Sequence, residues 1–527
     1  MKVVATDGLA REGIELLQKA PGLEVEARPR FGEAQLRRAL RAAEALIVRS
    51  ATRVTAELLE AAPRLRVIGR AGIGYDNIDT QAATRRGVVV MNTPAGSHVT
   101  TAEHTLSLMM ALARRIPQAT ASIKAGRWER QRFVGMELQG KTLGLIGLGN
   151  VGTAVAERAK ALKMEVLAYD PYITEERAAK LGVELVGLGS LYRRSHIISL
   201  HTPLTNETRG LLDARAFRKM RRGVLIINCA RGGLIVERDL LRAIERGRVA
   251  GVALDVFEQE PPPRQDPLVQ REEVIGTPHL GASTREAQVT VSVEIARQVV
   301  DYLLYGLIRN AVNVPSLSPE LYPVLEPYLR LAEKLGEFQA QLIPAALDEV
   351  QVEYSGEVSE FEVAPLTVSL LKGLLSTAMP GSVNYVNAPV IARDRGIRVV
   401  ESKSRTAADF ASLVTLRVRS REGESTVAGT IFGRKEPRLV RIGSFELEAI
   451  PEGHLLVIQS NDRPGVIGHI GAVLGRNGIN IAQMQLGRKR VGGEALSLIQ
   501  IDSQAGPEVI DQLLRLPHIN AVRPVEL

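Results

Sequence analysis

Short apolar runs alternate with helical segments along the first part of the chain. Lys2–Ala5, Ala45–Val48, Val67–Gly69 and Val88–Met91 are the runs, and their alternation predicts a first doubly wound sheet over residues 1–98. Ser97–Ile116 (SHVTTAEHTLSLMMALARRI) then predicts one long apolar-periodic helix leading into a second unit. Thr284–Tyr305 predicts a helix that returns toward the first. Beyond the Pro- and Ser-bearing stretch Val314–Pro319 the pattern changes to helices (Leu321–Gln339, Ala364–Met379) and β-rich runs (Val350–Tyr354, Leu413–Arg419, Thr426–Phe432, Val440–Ile442). The last segment reads strand, helix, strand, strand, helix, strand: His454–Ser460, Gly465–Arg476, Ile479–Leu486, Ala495–Ile501, Pro507–Leu514 and Ile519–Val525. That order is ferredoxin-like.

Within the second unit one stretch carries chemistry. Thr142–Ile146 is a short apolar run, Gly147-Leu-Gly-Asn-Val-Gly152 follows at once, and Thr153–Met164 has helical spacing with Val155, Ala159 and Leu162 on one face. Strand, glycine turn and helix in that order suit a dinucleotide. The first glycine allows the turn, the second lets backbone approach a pyrophosphate, and the third lets helix pack close to strand. The phosphates then lie on unpaired N–H groups at the helix N-terminus. Asp170 closes the next strand, near the ~20-residue offset at which an acidic residue meets the ribose hydroxyls. A carboxylate there repels a 2′-phosphate, so NAD is expected rather than NADP.

Three later residues stand at strand ends, where open α/β sheets place their ligands. Gly223–Asn228 is a buried parallel strand followed by Cys229-Ala-Arg231-Gly-Gly, Gly251–Phe257 is followed by Glu260, and Val274–Pro278 by His279. A guanidinium at Arg231 holds a carboxylate through two parallel hydrogen bonds. Oxidising a secondary alcohol needs a base for the hydroxyl proton as hydride leaves, and histidine suits that near neutral pH. A carboxylate at Glu260 orients the imidazole and favours its charged form.

Composition bounds the rest. A chain of 527 residues with 45% hydrophobic content has room for three or four domains. It shows no run of some ~18 uncharged apolar residues, and it opens directly on a strand rather than on a secretory signal. A single cysteine, Cys229, fits a cytoplasmic location and reads as a small strand-end residue rather than a nucleophile. The net charge of +8 comes from arginines interspersed with glutamates, not from a basic tail or stripe, so no nucleic-acid partner is expected. No metal-ligand spacing stands out either. A local group of cations, Arg49, Arg53, Arg70, Arg130 and Arg132, suits a substrate with a carboxylate at one end and a phosphate at the other.

Taken together, Gly147–Gly152, His201-Thr-Pro203, Asn228–Gly233, Leu254–Phe257 and Pro278–Thr284 resemble the D-isomer-specific 2-hydroxyacid dehydrogenases. Arg70–Asp79 and Trp128–Phe133 narrow the likeness to members that act on D-3-phosphoglycerate. The resemblance runs from residue 1 to about 315. It implies a catalytic trio of Arg231, Glu260 and His279. It places Gly147, Gly149, Asn150, Val151, Gly152, Asp170, Thr202, Cys229, Ala230, Arg231, Asp255, His279, Gly281 and Ala282 at the NAD site. Near the substrate it places Arg49, Ser50, Arg53, Arg70, Gly72 and Arg132, with the Trp128–Phe133 arm reaching across a dimer partner. Ile73 stands where relatives often carry a hydroxyl residue and Asn150 where many carry arginine; neither touches the chemistry.

The remaining chain resembles the appended regions of long bacterial members. Residues 316–450 are similar to an intervening domain that can bind anions, with Met379–Asn387 a turn and an asparagine-bearing segment. Residues 451–527 resemble an ACT domain, with Asp462 and Asn480 expected to meet an amino-acid effector, L-serine by resemblance. The expected organisation is thus two doubly wound Rossmann-like domains, then an α+β intervening domain and a ferredoxin-like ACT domain. Substrate binding falls to 1–98 with 282–315 and NAD binding to 99–281, in a homodimer or homotetramer. Two other readings stay open: a family member that reduces glyoxylate, hydroxypyruvate or pyruvate, and a non-catalytic NAD-sensing corepressor of the same fold.

Overall fold

The computed structural model describes residues 1–315, 321–343, 345–407, 409–421, 423–433 and 435–527. The Pro- and Ser-bearing stretch at 314–319 therefore lies, from 316 on, outside the described residues. The first sheet joins β1 (Lys2–Ala5), β2 (Glu24–Ala27), β3 (Ala43–Val48), β4 (Val67–Arg70) and β5 (Val89–Met91) in the order β2-β1-β3-β4-β5, all parallel. Its central strands are buried apolar runs, as a sheet covered on both faces requires. The helix Arg285–Tyr305 lies on this sheet: Val291, Ile295 and Val299 share a core with Val3, Ala5, Val67 and Met91.

The second sheet joins β6 (Thr142–Ile146), β7 (Glu165–Tyr169), β8 (Glu184–Leu185), β9 (Ile197–Leu200), β10 (Val224–Asn228), β11 (Val249–Leu254) and β12 (Val274–Gly276). The order β12-β11-β10-β9-β6-β7-β8 reverses direction at β6, between β9 and β7. A crevice opens at such a reversal, outside the carboxyl ends of the strands.

The helix expected over Ser97–Ile116 is two helices, His98–Ala113 and Ile116–Lys124, joined through Arg115 at φ +50°. Pro117 explains the break. It has no N–H to return to Ala113, whose carbonyl instead accepts from Met136 N–H at 2.9 Å.

A mixed sheet follows: β13 (Leu347–Gly356), β14 (Arg398–Ser404), β15 (Ser412–Ser420), β16 (Gly423–Phe432), β17 (Glu436–Ile442) and β18 (Phe445–Ala449), ordered β14-β13-β15-β16-β17-β18. Helices Tyr322–Leu342 and Ala364–Ser376 cover one face. The last sheet, β20-β21-β19-β22, is antiparallel, with β19 at His454–Asn461, β20 at Ile481–Arg488, β21 at Glu494–Ile501 and β22 at Ile519–Glu526. Helices Val466–Arg476 and Pro507–Leu514 pack on one of its faces. The other face sends Leu455, Val457, Leu496, Leu498 and Val525 into the core of the preceding mixed sheet, so the last two units share a core.

The asparagines of Met379–Asn387 serve the backbone. Asn384 Oδ1 accepts from Val386 and Asn387 N–H, while its Nδ2 donates to Gly87 O at 2.9 Å on the first unit. Val386 enters the core of the first sheet, so this segment docks the mixed sheet onto that unit.

Candidate active site

The glycine turn sits where β6 ends. Gly147 takes φ +98°, and a Cβ on Gly152 would lie 2.2 Å from the Gly147 carbonyl oxygen, so the helix Asn150–Ala161 can start this close to the strand only with glycine there. A Cβ on Gly149, by contrast, would meet nothing within 4 Å. That open side faces the helix N-terminus, which Gly149 caps without a side-chain acceptor, leaving first-turn N–H groups for an anion. Asn150 reaches across to Pro94 O at 3.5 Å, and Val151 lies in the first turn.

Asp170 lies beside the same turn. Its Oδ2 accepts Leu148 N–H at 2.8 Å and its Oδ1 accepts Tyr172 N–H at 2.9 Å, which leaves each oxygen a lone pair for a hydroxyl. Thr202, just past β9, carries a buried hydroxyl with no partner among the described residues, and its methyl would touch a Cβ on Gly147. An open glycine, an uncapped helix, an orphaned hydroxyl and a half-satisfied carboxylate together fit a dinucleotide. His201 hydrogen-bonds Ser199 at 2.9 Å under the turn, and burial pulls its pKa down to about 4.

The second cluster stands at the ends of the adjacent strands β10, β11 and β12. Asn228 builds the turn after β10: its Oδ1 accepts Ala230 N–H at 3.0 Å and its Nδ2 donates to Arg231 O at 2.8 Å. Cys229 is buried here, and burial pushes its thiol pKa up to about 12, which leaves it protonated and unreactive. Arg231 Nε donates to Asp76 Oδ2 at 2.6 Å and Nη1 to Ala230 O at 2.6 Å.

His279 Nδ1 lies 2.8 Å from Glu260 Oε2, and Glu260 Oε1 accepts Phe257 N–H at 3.2 Å. Burial raises the Glu260 pKa, but hydrogen bonding and charge from His279 outweigh it, so the carboxyl is held below its ordinary value. Among the described residues no group is bonded to His279 Nε2, and the side chain is 48% exposed. The ring therefore offers its second nitrogen to the cleft.

Asp255 is fully buried beneath this pair. Its Oδ1 accepts Thr277 Oγ1–H at 2.6 Å and Leu280 N–H at 2.7 Å, and its Oδ2 accepts Gly281 N–H at 2.8 Å. His104 Nε2 approaches Oδ1 at 3.2 Å. Burial alone raises the Asp255 pKa; hydrogen bonds from His104, Thr277 and Leu280 more than reverse that. The carboxylate thus fixes the 277–281 backbone, which carries His279 at φ +55° and leads into exposed Ala282. His104, Cys229 and Asp255 place ligand-type atoms within 4.8 Å of one another, yet hydrogen bonds already occupy both carboxylate oxygens.

Across the cleft the first unit presents cations. Asp7 Oδ2 accepts N–H groups of Arg49 and Thr52, each at 2.9 Å, and Asn77 Nδ2 donates to the carbonyls of Arg49 and Thr52 at 2.8 and 2.7 Å. The loop bearing Arg49, exposed Ser50 and exposed Arg53 is held from both sides. Gly72 N–H donates to Thr93 Oγ1 at 2.8 Å, and Gly72 lies against the Arg70 guanidinium. Burial, then the like charges of Arg231 and Arg49, lower the Arg70 pKa from 12.5 to about 10, with Asp76 and Asp7 opposing. Its Nε is buried and has no hydrogen-bond partner among the described residues. Arg49, Arg70 and Arg231 converge, which is the electrostatics of an anion site.

Arg132 is not brought to this cleft within its own chain. It bonds Glu272 at 2.8 Å, just before β12 begins and so at the opposite end of that strand from His279. In the last unit Asp462 accepts from Arg488 Nη1 at 2.9 Å and Gly492 N–H at 3.0 Å, while Asn480 Nδ2 donates to Asp502 at 2.7 Å. Asp462 and Asn480 therefore each have partners of their own. Sequence reasoning passed over Asp7, Asp76, Asn77 and His104. Asp76 and Asn77 sit within the quoted Arg70–Asp79 motif, the one available signal; Asp7 and His104 act through partners distant in sequence.

The family description "D-isomer specific 2-hydroxyacid dehydrogenase, NAD binding domain" matches residues 106–281. "D-3-phosphoglycerate dehydrogenase intervening domain" matches 324–443, and "ACT domain" matches 454–518. The D-3-phosphoglycerate dehydrogenase of Archaeoglobus fulgidus is 44% identical over 529 residues, covering 100% of both chains. That of Methanocaldococcus jannaschii is 43% identical with 100% of each covered, and that of Bacillus subtilis 40% with 100% and 99%. Among solved structures, the TT0316 protein from Thermus thermophilus superposes with a TM-score of 0.54 at 34% identity, over 59% of this chain and 100% of its own. D-lactate dehydrogenase from Aquifex aeolicus complexed with NAD and lactic acid gives 0.53 at 29% identity, over 60% of this chain and 100% of its own.

Proposed function

The chain belongs to the D-3-phosphoglycerate dehydrogenases, and from that premise we propose how its own residues divide the work. It oxidises D-3-phosphoglycerate to 3-phosphohydroxypyruvate with NAD, the first step of L-serine biosynthesis. NAD, when bound, supplies the acceptor for the hydride that leaves C2. Gly149 and the first turn of Asn150–Ala161 hold the pyrophosphate, Asp170 the ribose hydroxyls, and Thr202 offers its unpaired hydroxyl.

His279 Nε2 takes the C2 hydroxyl proton as the C2–H bond breaks and the carbonyl forms. Glu260 accepts Nδ1–H and stabilises the imidazolium that results. Arg231 grips the substrate carboxylate and steadies the developing carbonyl oxygen. Arg49, Arg70 and the 49–53 loop receive the phosphate, whose charge relieves their mutual repulsion. The observation that carries this reading is the 2.8 Å His279–Glu260 pair, standing beside Arg231 at three adjacent strand ends.

Regulation and assembly follow from the same reading. The ACT unit takes L-serine, with Asp462 exchanging Arg488 for the amino-acid ammonium and Asn480 bonding its other groups. A homodimer covers the apolar surface of Ile116, Ile123, Trp128 and Val134, each more than half exposed in the single chain. That pairing brings Arg132 to the partner's cleft, and tetramers form from such dimers. No helix of the described residues is long and apolar enough to cross a membrane. The sole cysteine, buried and protonated, suits the cytoplasm.

NADH formation from D-3-phosphoglycerate at alkaline pH with the product trapped, with and without L-serine, tests both levels. Turnover supports the activity, and its suppression by serine supports the effector. Turnover of D-lactate or glyoxylate in its place would move the substrate to other members of the wider family.

A further inference from the structure

Arg231 has a partner that no part of the scheme so far uses. Asp76 lies in the loop after β4, on the first unit, and accepts Arg231 Nε–H at 2.6 Å from the second unit. The fit is close on all sides. A Cβ on Gly74 would lie 1.6 Å from Arg231 Nη2, so the guanidinium rests on the backbone of the loop that carries Asp76. Nη1 is tied to Ala230 O at 2.6 Å. Of the five N–H donors of a guanidinium, Nε–H and one Nη1–H are thereby spent. Among the described residues the second Nη1–H and the Nη2–H groups have no hydrogen-bond partner, and one donor from each nitrogen makes a fork matched to a carboxylate.

We infer that Asp76 is a positioning residue for substrate binding: it fixes which edge of Arg231 faces the substrate carboxylate. It also makes that grip depend on the first unit being closed against the second. This rests on Arg231 being the carboxylate grip. The charges agree with the assignment. Arg49, Arg70 and Arg231 face Asp7 and Asp76, and Asp7 is spent on the Arg49 loop, so Asp76 is the acid that offsets Arg231. Because Asp76 is more than half exposed, it serves no core and its removal leaves folding intact.

The test is steady-state kinetics of Asp76→Ala, Asp76→Asn, Arg231→Ala and the double variant Asp76→Ala/Arg231→Ala in the full chain. Loss of a charge-assisted bond predicts a KM for D-3-phosphoglycerate about tenfold to a hundredfold higher in Asp76→Ala. The KM for NAD and the melting temperature stay at wild-type values. Asp76→Asn, which keeps an acceptor oxygen, recovers part of the loss, and the double variant is no worse than Arg231→Ala alone. Unchanged hydroxy-acid KM in Asp76→Ala, tighter substrate binding in Asp76→Asn, or losses that add in the double variant would overturn the inference. Failure of the underlying reading looks different: Arg231→Ala itself would then leave the hydroxy-acid KM unaltered.

Discussion

His279 Nδ1 meets Glu260 Oε2 at 2.8 Å while the His279 backbone stands at φ +55°. An ionised carboxylate only accepts, so the proton sits on Nδ1 and the lone pair on Nε2, toward the cleft. The backbone conformation is uncommon for a residue with a side chain, and the surroundings over-determine it. His279 N–H donates to Asp255 O at 2.9 Å, and the Asp255 carboxylate takes the next two N–H groups. A buried acid thus sets the backbone, and an exposed acid sets the tautomer.

Replacing Glu260 with glutamine removes the charge that favours the imidazolium. The kcat is expected to fall because the charged ring formed in the reaction is no longer stabilised. Turnover of D-3-phosphoglycerate by wild type and Glu260→Gln checks this; an unchanged kcat would contradict it.

The two glycines of the turn are expected to fail in different ways. Gly149→Ala places its methyl in open space, so melting temperature holds while the dissociation constant for NADH rises. Gly152→Ala drives its methyl to 2.2 Å from a backbone carbonyl and loses stability, by about 1–3 kcal/mol. Thermal melts paired with NADH fluorescence titrations separate the two.

Asp170→Ser removes the carboxylate that repels a 2′-phosphate. The ratio of kcat/KM for NAD over NADP is expected to drop, mostly through weaker NAD binding, since Asp170 also holds Leu148 and Tyr172 N–H. An unchanged ratio would remove Asp170 from the ribose.

His201 ties stability to acid. Its folded pKa of about 4 lies below the ordinary 6.5, so between these values the unfolded chain takes up a proton that the folded chain refuses. Its contribution is whole above pH 6.5 and is lost as pH falls toward 4. Urea midpoints at pH 7 and pH 5 should differ less for His201→Asn than for wild type.

Much of this was readable beforehand because local pattern and chemistry coincide. The glycine turn is contiguous, and Arg231, Glu260 and His279 each follow an apolar strand by a few residues. What escaped depends on distance. Asp76 meets a residue on the other sheet, and Asp7 shapes a loop beyond two intervening strands. Asp255, expected at the cofactor, spends both oxygens on protein groups, which only its burial reveals. β14 went unread because it is exposed along most of its length and lacks the alternation that marks a strand, and β18 (Phe-Glu-Leu-Glu-Ala) because its alternation runs over only five residues. The split after Ala113 was signalled by Pro117, outweighed by apolar periodicity that continues through it.

The claim at the centre is that His279 is the base and Arg231 the grip. Steady-state turnover of D-3-phosphoglycerate by His279→Ala and Arg231→Ala, each checked for native melting and NADH binding, tests it most directly. The account predicts that His279→Ala loses about a hundredfold or more in kcat with little change in KM. Arg231→Ala, by contrast, raises the KM for the hydroxy acid and lowers the rate as well. His279→Ala turning over at the wild-type rate would contradict it.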